Sequence, residues 1–249
     1  MVENIIKSAS SEVQILNQIN ISICLKDLDT IASTADNRGK VLITAEKLIT
    51  EVQDIWRPRA IIRWLKVERF TPSGFFLSPF DNGEGKYLQL GSASMFMTNA
   101  VRGLVGVYSA GEELEKLAAE ASRQKRYADA FLFDLIGLAV LKKTRQQIDK
   151  IVEEEARKHD WGVGPLLSPG SVHGWELADQ ANLCSLVPLN RIDVELKSSA
   201  IFRPFKTVSF LIGIGPQYEA KTVGSTCDVC SKSHNCQMRR SEANPIPHT

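Results

Sequence analysis

Long apolar runs are missing from this chain. The longest, Phe131 to Leu141, is interrupted by Asp134 and is too short to cross a bilayer, so no membrane span is expected. A charge excess is missing too. The net charge is +1 with acids and bases interleaved, which leaves no basic field for nucleic acid and no acidic tail. No internal repeat is present. The opening residues Met1-Val-Glu-Asn-Ile-Ile-Lys lack the apolar stretch of a secretory signal, so a cytoplasmic location is expected. Cysteine is scarce, five in 249 residues. In a reducing compartment, clustered cysteines are metal ligands or redox groups before they are structural disulfides. What the chain does have is a hydrophobic fraction of 43%, enough for a real core.

Three of the five cysteines fall within ten residues: Cys227, Cys230 and Cys236. A Cys-x-x-Cys turn sets two thiolates on one small loop, and soft thiolates select zinc or cluster iron. Around them only Val229 and Met238 are apolar, so something other than hydrophobic burial is expected to order the segment. An iron–sulfur cluster is the first expectation and zinc the alternative; a redox dithiol and a chance pairing stay open. The tail supplies three cysteines, so Cys184, Cys24 and His234 compete as a fourth ligand. The gap from Cys230 to Cys236 fits neither the bacterial ferredoxin run nor a standard zinc knuckle. Arg239-Arg240 beside the loop reads as a solvated pair or as steering for an acidic partner.

Along the chain, Ile15 to Ile19 reads as a helix and Ile21 to Leu25 as a short strand. Leu42 to Ile55 has apolar residues at helical spacing, and Trp56-Arg57-Pro58 ends it. Strands are expected over Ala60 to Phe70, Tyr87 to Leu90 and Leu104 to Ser109. An amphipathic helix begins after Gly111. A long helix runs from Tyr127 to Lys158, with a first half apolar nearly all round and a charged, solvated second half. Trp161 to Gly170 reads as a Gly/Pro loop, Trp175 to Leu186 as a short helix. Ile192 to Leu196, Ala200 to Phe202 and Thr207 to Gly215 read as antiparallel strands. The mixture lacks a regular βαβ rhythm, so the expected class is α+β. Trp64, Trp161 and Trp175 are expected as core and loop anchors.

The order of motifs is itself informative. Arg57-Pro58-Arg59 precedes a strand, and an apolar strand leads into Gly111-x-x-Leu114. A helix then carries Asp134-Leu135-Ile136-Gly137. Ser168-Pro169-Gly170 lies in a loop, Gly174-Trp175 opens a helix, and an apolar strand ends Ile212-Gly213-Ile214-Gly215 before the Cys-x-x-Cys tail. Together these resemble the reactivation domain of cobalamin-dependent methionine synthase, in a stand-alone, Cys-rich-tail form, over roughly Arg57 to Arg240. The resemblance implies a C-shaped α+β domain: a twisted antiparallel sheet with flanking helices. It implies a domain that caps a corrinoid cofactor stranded as Co(II) and binds S-adenosylmethionine. The implied partners are a corrinoid protein or cobalamin-dependent methyltransferase and a low-potential electron donor. The segments expected are 1–56, helical or mixed; 57–222, the activation-domain-like unit; and 223–249, the metal or cluster tail.

The family's cofactor loop reads Arg-x-x-Pro-Gly-Tyr. Here Pro169-Gly170 is present, but Leu166 stands at the arginine position and Ser171 at the tyrosine position. Leucine has no charged fork for a methionine carboxylate, so S-adenosylmethionine is not expected to bind in that manner. The cofactor-binding candidates are Asp134, Ser168, Pro169, Gly170, Ser171 and His173. Asp134 shares a helix face with Phe131 and Leu138, and either lines a polar cavity or pairs with a nearby loop. His173 is a cobalt-facing or substrate-facing base, or a plain loop histidine. Three functions remain open: a stand-alone corrinoid activator passing an electron through the tail, a non-catalytic corrinoid-binding module with structural zinc, and an S-adenosylmethionine-dependent activator.

Overall fold

A computed structural model describes residues 12–17, 19–28, 38–81, 83–224 and 229. Three strands form its centre: β2 (Arg59–Thr71), β5 (Arg102–Ser109) and β9 (Thr207–Gly215). Their sequences are rich in Val, Ile, Leu and Phe, as strands buried on both faces require. The sheet runs β4–β3–β2–β5–β9–β6, with β1 (Gln14–Leu16) as a seventh strand. β3 is Gly74–Ser78, β4 is Lys86–Gln89 and β6 is Gly162–Leu167. Every pairing in it is antiparallel. β2 is long enough to share one edge between two partners: Gln14 to Leu16 lie opposite Ile62 to Ala60, while Lys66 and Val67 face Ser78 and Leu77. A register shift between Glu68 and Thr71, with Arg69 at φ 49°, bends the far end of β2. The architecture is α+β around a curled antiparallel sheet.

Period-two alternation divides the core. On one face Ile61, Leu65, Val105, Val107 and Leu211 are covered by the segment carrying Val172, Trp175, Leu183 and Ile192. On the other face Ile62, Trp64, Leu104, Phe210 and Ile212 meet the long helix α3 (Tyr127–Lys158). A helical layer completes the fold. There α1 (Arg38–Val52) and α2 (Glu113–Arg123) pack on the first half of α3. A short α4 (Gln180–Cys184) and a small hairpin, β7 (Glu195–Leu196) with β8 (Phe202–Arg203), follow on the first face. No described helix is long and apolar enough to cross a membrane.

The structure corrects several expectations. Gln14 to Leu16 is a strand, not part of a helix, because the open edge of β2 pairs with it. Leu25 to Asp27 is a 3-10 turn rather than the end of a strand. Trp161 to Gly170 is not a loop throughout: β6 occupies Gly162 to Leu167. Its glycines are there because Tyr218 crosses so closely that a Cβ on Gly162 would lie 2.0 Å from the Tyr218 carbonyl oxygen. Pro165 is tolerated because β6 is an edge strand that bulges between Val163 and Leu166. β3 was hidden by the turn residues on either side of it. The second half of α3 is not simply solvated, since Thr144, Ile148, Val152 and Ala156 form a buried stripe four residues apart. Its first half keeps an exposed stripe of Tyr127, Phe131, Asp134 and Leu138. Trp64, Trp161 and Trp175 are all buried.

A buried ion pair joins sheet to helix. Arg102, 3% exposed, donates to Glu155 Oε1 at 2.9 Å and lies near the Phe80 and Trp161 rings. Burial pushes the Glu155 carboxyl up. Hydrogen bonds from Lys158 and His159, with the Lys158 and Arg102 charges, outweigh it and hold the carboxyl below its ordinary value of 4.5. A depressed carboxyl contributes stability above its unfolded value and loses it as pH falls through the folded one. Glu155→Gln is therefore expected to cost about 3 kcal/mol at pH 7 by removing the carboxylate that balances the buried Arg102 charge, and to flatten the stability profile between about pH 5 and 3. Urea unfolding across that range checks both effects. Gly106 gives a second test: a Cβ there would meet the Ile61 carbonyl oxygen at 2.5 Å and the Phe210 ring at 2.8 Å. Gly106→Ala is expected to cost about 1–3 kcal/mol in the same measurement.

Candidate functional site

The chain leaves β6 at Leu167 and turns back on itself. The Ser168 carbonyl accepts from the Ser171 and Val172 amides at 3.1 and 3.4 Å, and the Gly170 amide donates to the Trp175 carbonyl at 2.8 Å. Gly170 and Gly174 have φ of 75° and 85°, a region that favours glycine. Gly174 also needs to be small, since a Cβ would lie 2.1 Å from Ser92 Oγ. Ser92 opens the 3-10 segment Gly91–Met97 with Gly91, and its hydroxyl donates to the His173 carbonyl at 3.3 Å. The loop is therefore clamped rather than loose. Ser168 and Pro169 are buried, Ser171 half-buried, and Gly170 and His173 exposed. Two buried polar atoms here have no hydrogen-bond partner among the described residues: Ser168 Oγ and Trp175 Nε1. An orphaned buried donor is costly, and two in one loop mark a place where a polar ligand or water can bind.

Asp134 stands apart from that loop in its contacts. It is exposed on α3 and accepts from Lys206 Nζ at 2.7 Å. The Lys206 side chain is only 9% exposed. Its stem crosses Gly137, where a Cβ would meet Lys206 Cδ at 2.7 Å. Leu166, at the loop's arginine position, is buried against Ile212 and Ile214 in the core. Its side chain offers nothing to a ligand.

A cleft of about 740 Å³ opens where β2 begins, β5 ends and the β7–β8 hairpin returns to β9. Three arginines line it: Arg57, Arg59 and Arg203. So do the acids Glu112, Glu113 and Glu115 at the start of α2. The Glu115 carboxylate accepts from the consecutive amides of Phe205 and Lys206, at 3.1 and 2.7 Å. Gly111, at φ 88°, lets the Glu113 carboxylate fold inward; a Cβ would lie 2.2 Å from Glu113 Oε2. The sequence reading passed over these residues. Their signal was the two Arg-Pro pairs: Arg57-Pro58, read above only as the end of a helix, and Arg203-Pro204, to which no role was given.

The cysteine tail, with Cys227, Cys230, Cys236 and His234, lies outside the described residues. Among the described residues no group of three or more His, Cys, Asp or Glu is placed to hold a metal ion. Cys184 is buried in the first-face core, and burial pushes its thiol up to about 12. Cys24 is exposed and its Sγ donates to Asp27 at 3.3 Å.

No protein-family model and no curated protein matches the chain by sequence. Solved structures are similar to it, and among them is the crystal structure of the MetH reactivation domain bound to AdoHcy. That match has a TM-score of 0.64 and 13% sequence identity, and covers 86% of this chain and 82% of that one. The fold resemblance drawn from motif order therefore holds over most of both chains, at the level of the fold. The solved domain is bound to AdoHcy.

Ser168→Ala tests whether the loop's orphaned hydroxyl is idle in the free protein. Removing a hydroxyl with no partner is expected to leave stability within about 0.5 kcal/mol of the parent or to raise it. Thermal unfolding of the two proteins in the same buffer checks this.

Proposed function

We propose that this chain is a stand-alone activator of a corrinoid protein. It docks on a cobalamin-carrying methyltransferase whose cobalt has fallen to Co(II) and helps return the metal to its reduced, methyl-accepting state. The observation that carries this reading is the fold likeness to the MetH reactivation domain over most of both chains. The curled sheet supplies a rigid frame, and the clamped loop after β6 supplies the small-molecule contacts through Ser168, Pro169, Gly170, Ser171 and His173.

The cysteine spacing supports the finer step. Cys227, Cys230 and Cys236 hold an iron–sulfur cluster. A cluster held by these three cysteines would supply a low-potential one-electron couple able to reduce a partner's Co(II) to Co(I), with a donor outside the chain restoring its electron. Asp134 with Lys206 provides a charged spot on an otherwise apolar helix face for the partner to register against.

A second reading is favoured by the AdoHcy in the solved domain. In it the chain binds S-adenosylmethionine, which traps reduced cobalt by methylation while the electron comes from elsewhere. The tail then holds a structural zinc.

Anaerobic purification, an absorbance spectrum, and iron, sulfide and zinc analysis separate the two. Broad visible absorbance bleached by dithionite, with matching iron and sulfide, is expected. Cys227→Ala should abolish that absorbance and the reduction of a corrinoid protein's Co(II). A colourless protein with one zinc ion would overturn the electron-transfer step.

A further inference from the structure

Val229 lies between Cys227 and Cys230 in sequence, and it is buried. It is 3% exposed and belongs to the first-face core together with Leu167, Val172 and Trp175. The expectation that burial plays no part in ordering the tail therefore fails at this residue.

The chain that leads to Val229 is fixed to the body at several points. After β9 it turns and runs back along the outer edge of β6. The Val163 amide donates to the Ala220 carbonyl at 2.7 Å, and Gly224 forms a parallel bridge with Pro165. The second half of α3 grips the same stretch. Glu153 Oε1 accepts from the Val223 amide at 3.0 Å, and Arg145 Nη2 donates to the Gly224 carbonyl at 3.0 Å. Lys221 Nζ reaches Asp160 Oδ1 at 3.3 Å. Because the bridge is parallel, the chain at Gly224 heads as β6 does, toward Leu167 and the loop that follows it. Val223 packs against the core on the α3 face, whereas Val229 is part of the core on the other. Five residues span at most roughly 18 Å, so the chain changes face at the β6 edge. A strap there also covers an edge strand that would otherwise be open.

Connectivity then limits where the two cysteines can be. Cys230 is one residue from Val229 and Cys227 two, so both α-carbons lie within roughly 8 Å of a buried anchor. A metal-binding turn on a free tether has no such constraint.

We propose that Val229 seats the tail on the first face, and that metal held by Cys227 and Cys230 is thereby coupled to the folding of the whole domain. The coupling rests on the metal reading of the tail given above; the seat does not. The metal and the Ser168–Trp175 loop are then carried on one face, and a corrinoid partner docking at the loop meets both. A metal that binds only the seated, folded form raises stability. A metal that binds a free tail leaves the unfolding temperature of the body where it was.

Scanning calorimetry of the full chain, stripped with a chelator under reducing conditions and then measured with and without Zn²⁺, tests both parts. Zinc is the probe because thiolates take it readily. The parent chain is expected to take up zinc and to unfold at least about 4 °C higher with it. Val229→Ser should keep zinc and lose most of that rise; zinc lost altogether from this variant would be the same coupling in a stronger form. Without metal, Val229→Asp should lower the unfolding temperature by at least about 4 °C. Zinc uptake with no rise in the parent, or the full rise retained in Val229→Ser, would overturn the coupling. A metal-free Val229→Asp as stable as its parent would overturn the seat. A parent chain that takes no zinc would defeat the metal reading of the tail and the coupling with it, while the metal-free pair still decides the seat.

Discussion

The ladder of β2, β5 and β9 is buried on both faces, and that constraint shapes everything around it. Eight residue pairs in register join β2 to β5, and eight more join β5 to β9. Every residue of β5 is buried. Apolar side chains therefore project both ways, and two separate layers must cover them. The second half of α3 covers one face and the winding segment from Leu167 to Phe202 covers the other. Arg102 and Glu155 pin the first of these layers to the sheet. Once the Arg102 charge is buried at that junction, the Glu155 carboxylate must stay, because a buried charge without its counter-charge is costlier than the pair.

Covering one face with irregular chain, rather than with a second long helix, creates the places where ligands can sit. Irregular backbone has to satisfy its own amides through turns, and it does so around Ser168 and Trp175 while leaving two side-chain donors without a partner among the described residues. Further along, the same segment forms the β7–β8 hairpin. That hairpin returns to β9 beside the start of α2 and leaves the arginine-lined cleft between them. Both candidate sites therefore belong to the side of the molecule that lacks a regular covering layer, while α3 keeps the opposite face rigid. Function concentrating on loops carried by a stiff frame is the common arrangement.

Much of this frame was legible in the sequence. The long helix from Tyr127 to Lys158 has the predicted bounds, because its periodicity is strong and its ends are marked by charge and turn residues. The β5 and β9 strands were visible as apolar runs, and Gly111 marked the approach to α2. The fold likeness was visible in motif order even though identity to the solved domain is 13%. What stayed hidden was local chemistry overruled by neighbours. Nothing in Gln14-Ile15-Leu16 says that an edge of β2 is waiting for it. Gly162, Gly164 and Pro165 read as loop until Tyr218 is seen to cross them. The cleft was invisible because Arg57, Glu113 and Arg203 are far apart along the chain and meet only through strand pairing.

The sequence by itself determined the class of this protein, its three central strands and its long helix, because period and composition act locally. It also determined the three-cysteine tail, whose spacing is a property of the chain alone. The tertiary structure decided which atoms are left unsatisfied. Ser168 Oγ, Trp175 Nε1 and Glu113 Oε2 are ordinary polar atoms in the sequence. They acquire meaning only when packing removes water from them without providing a partner.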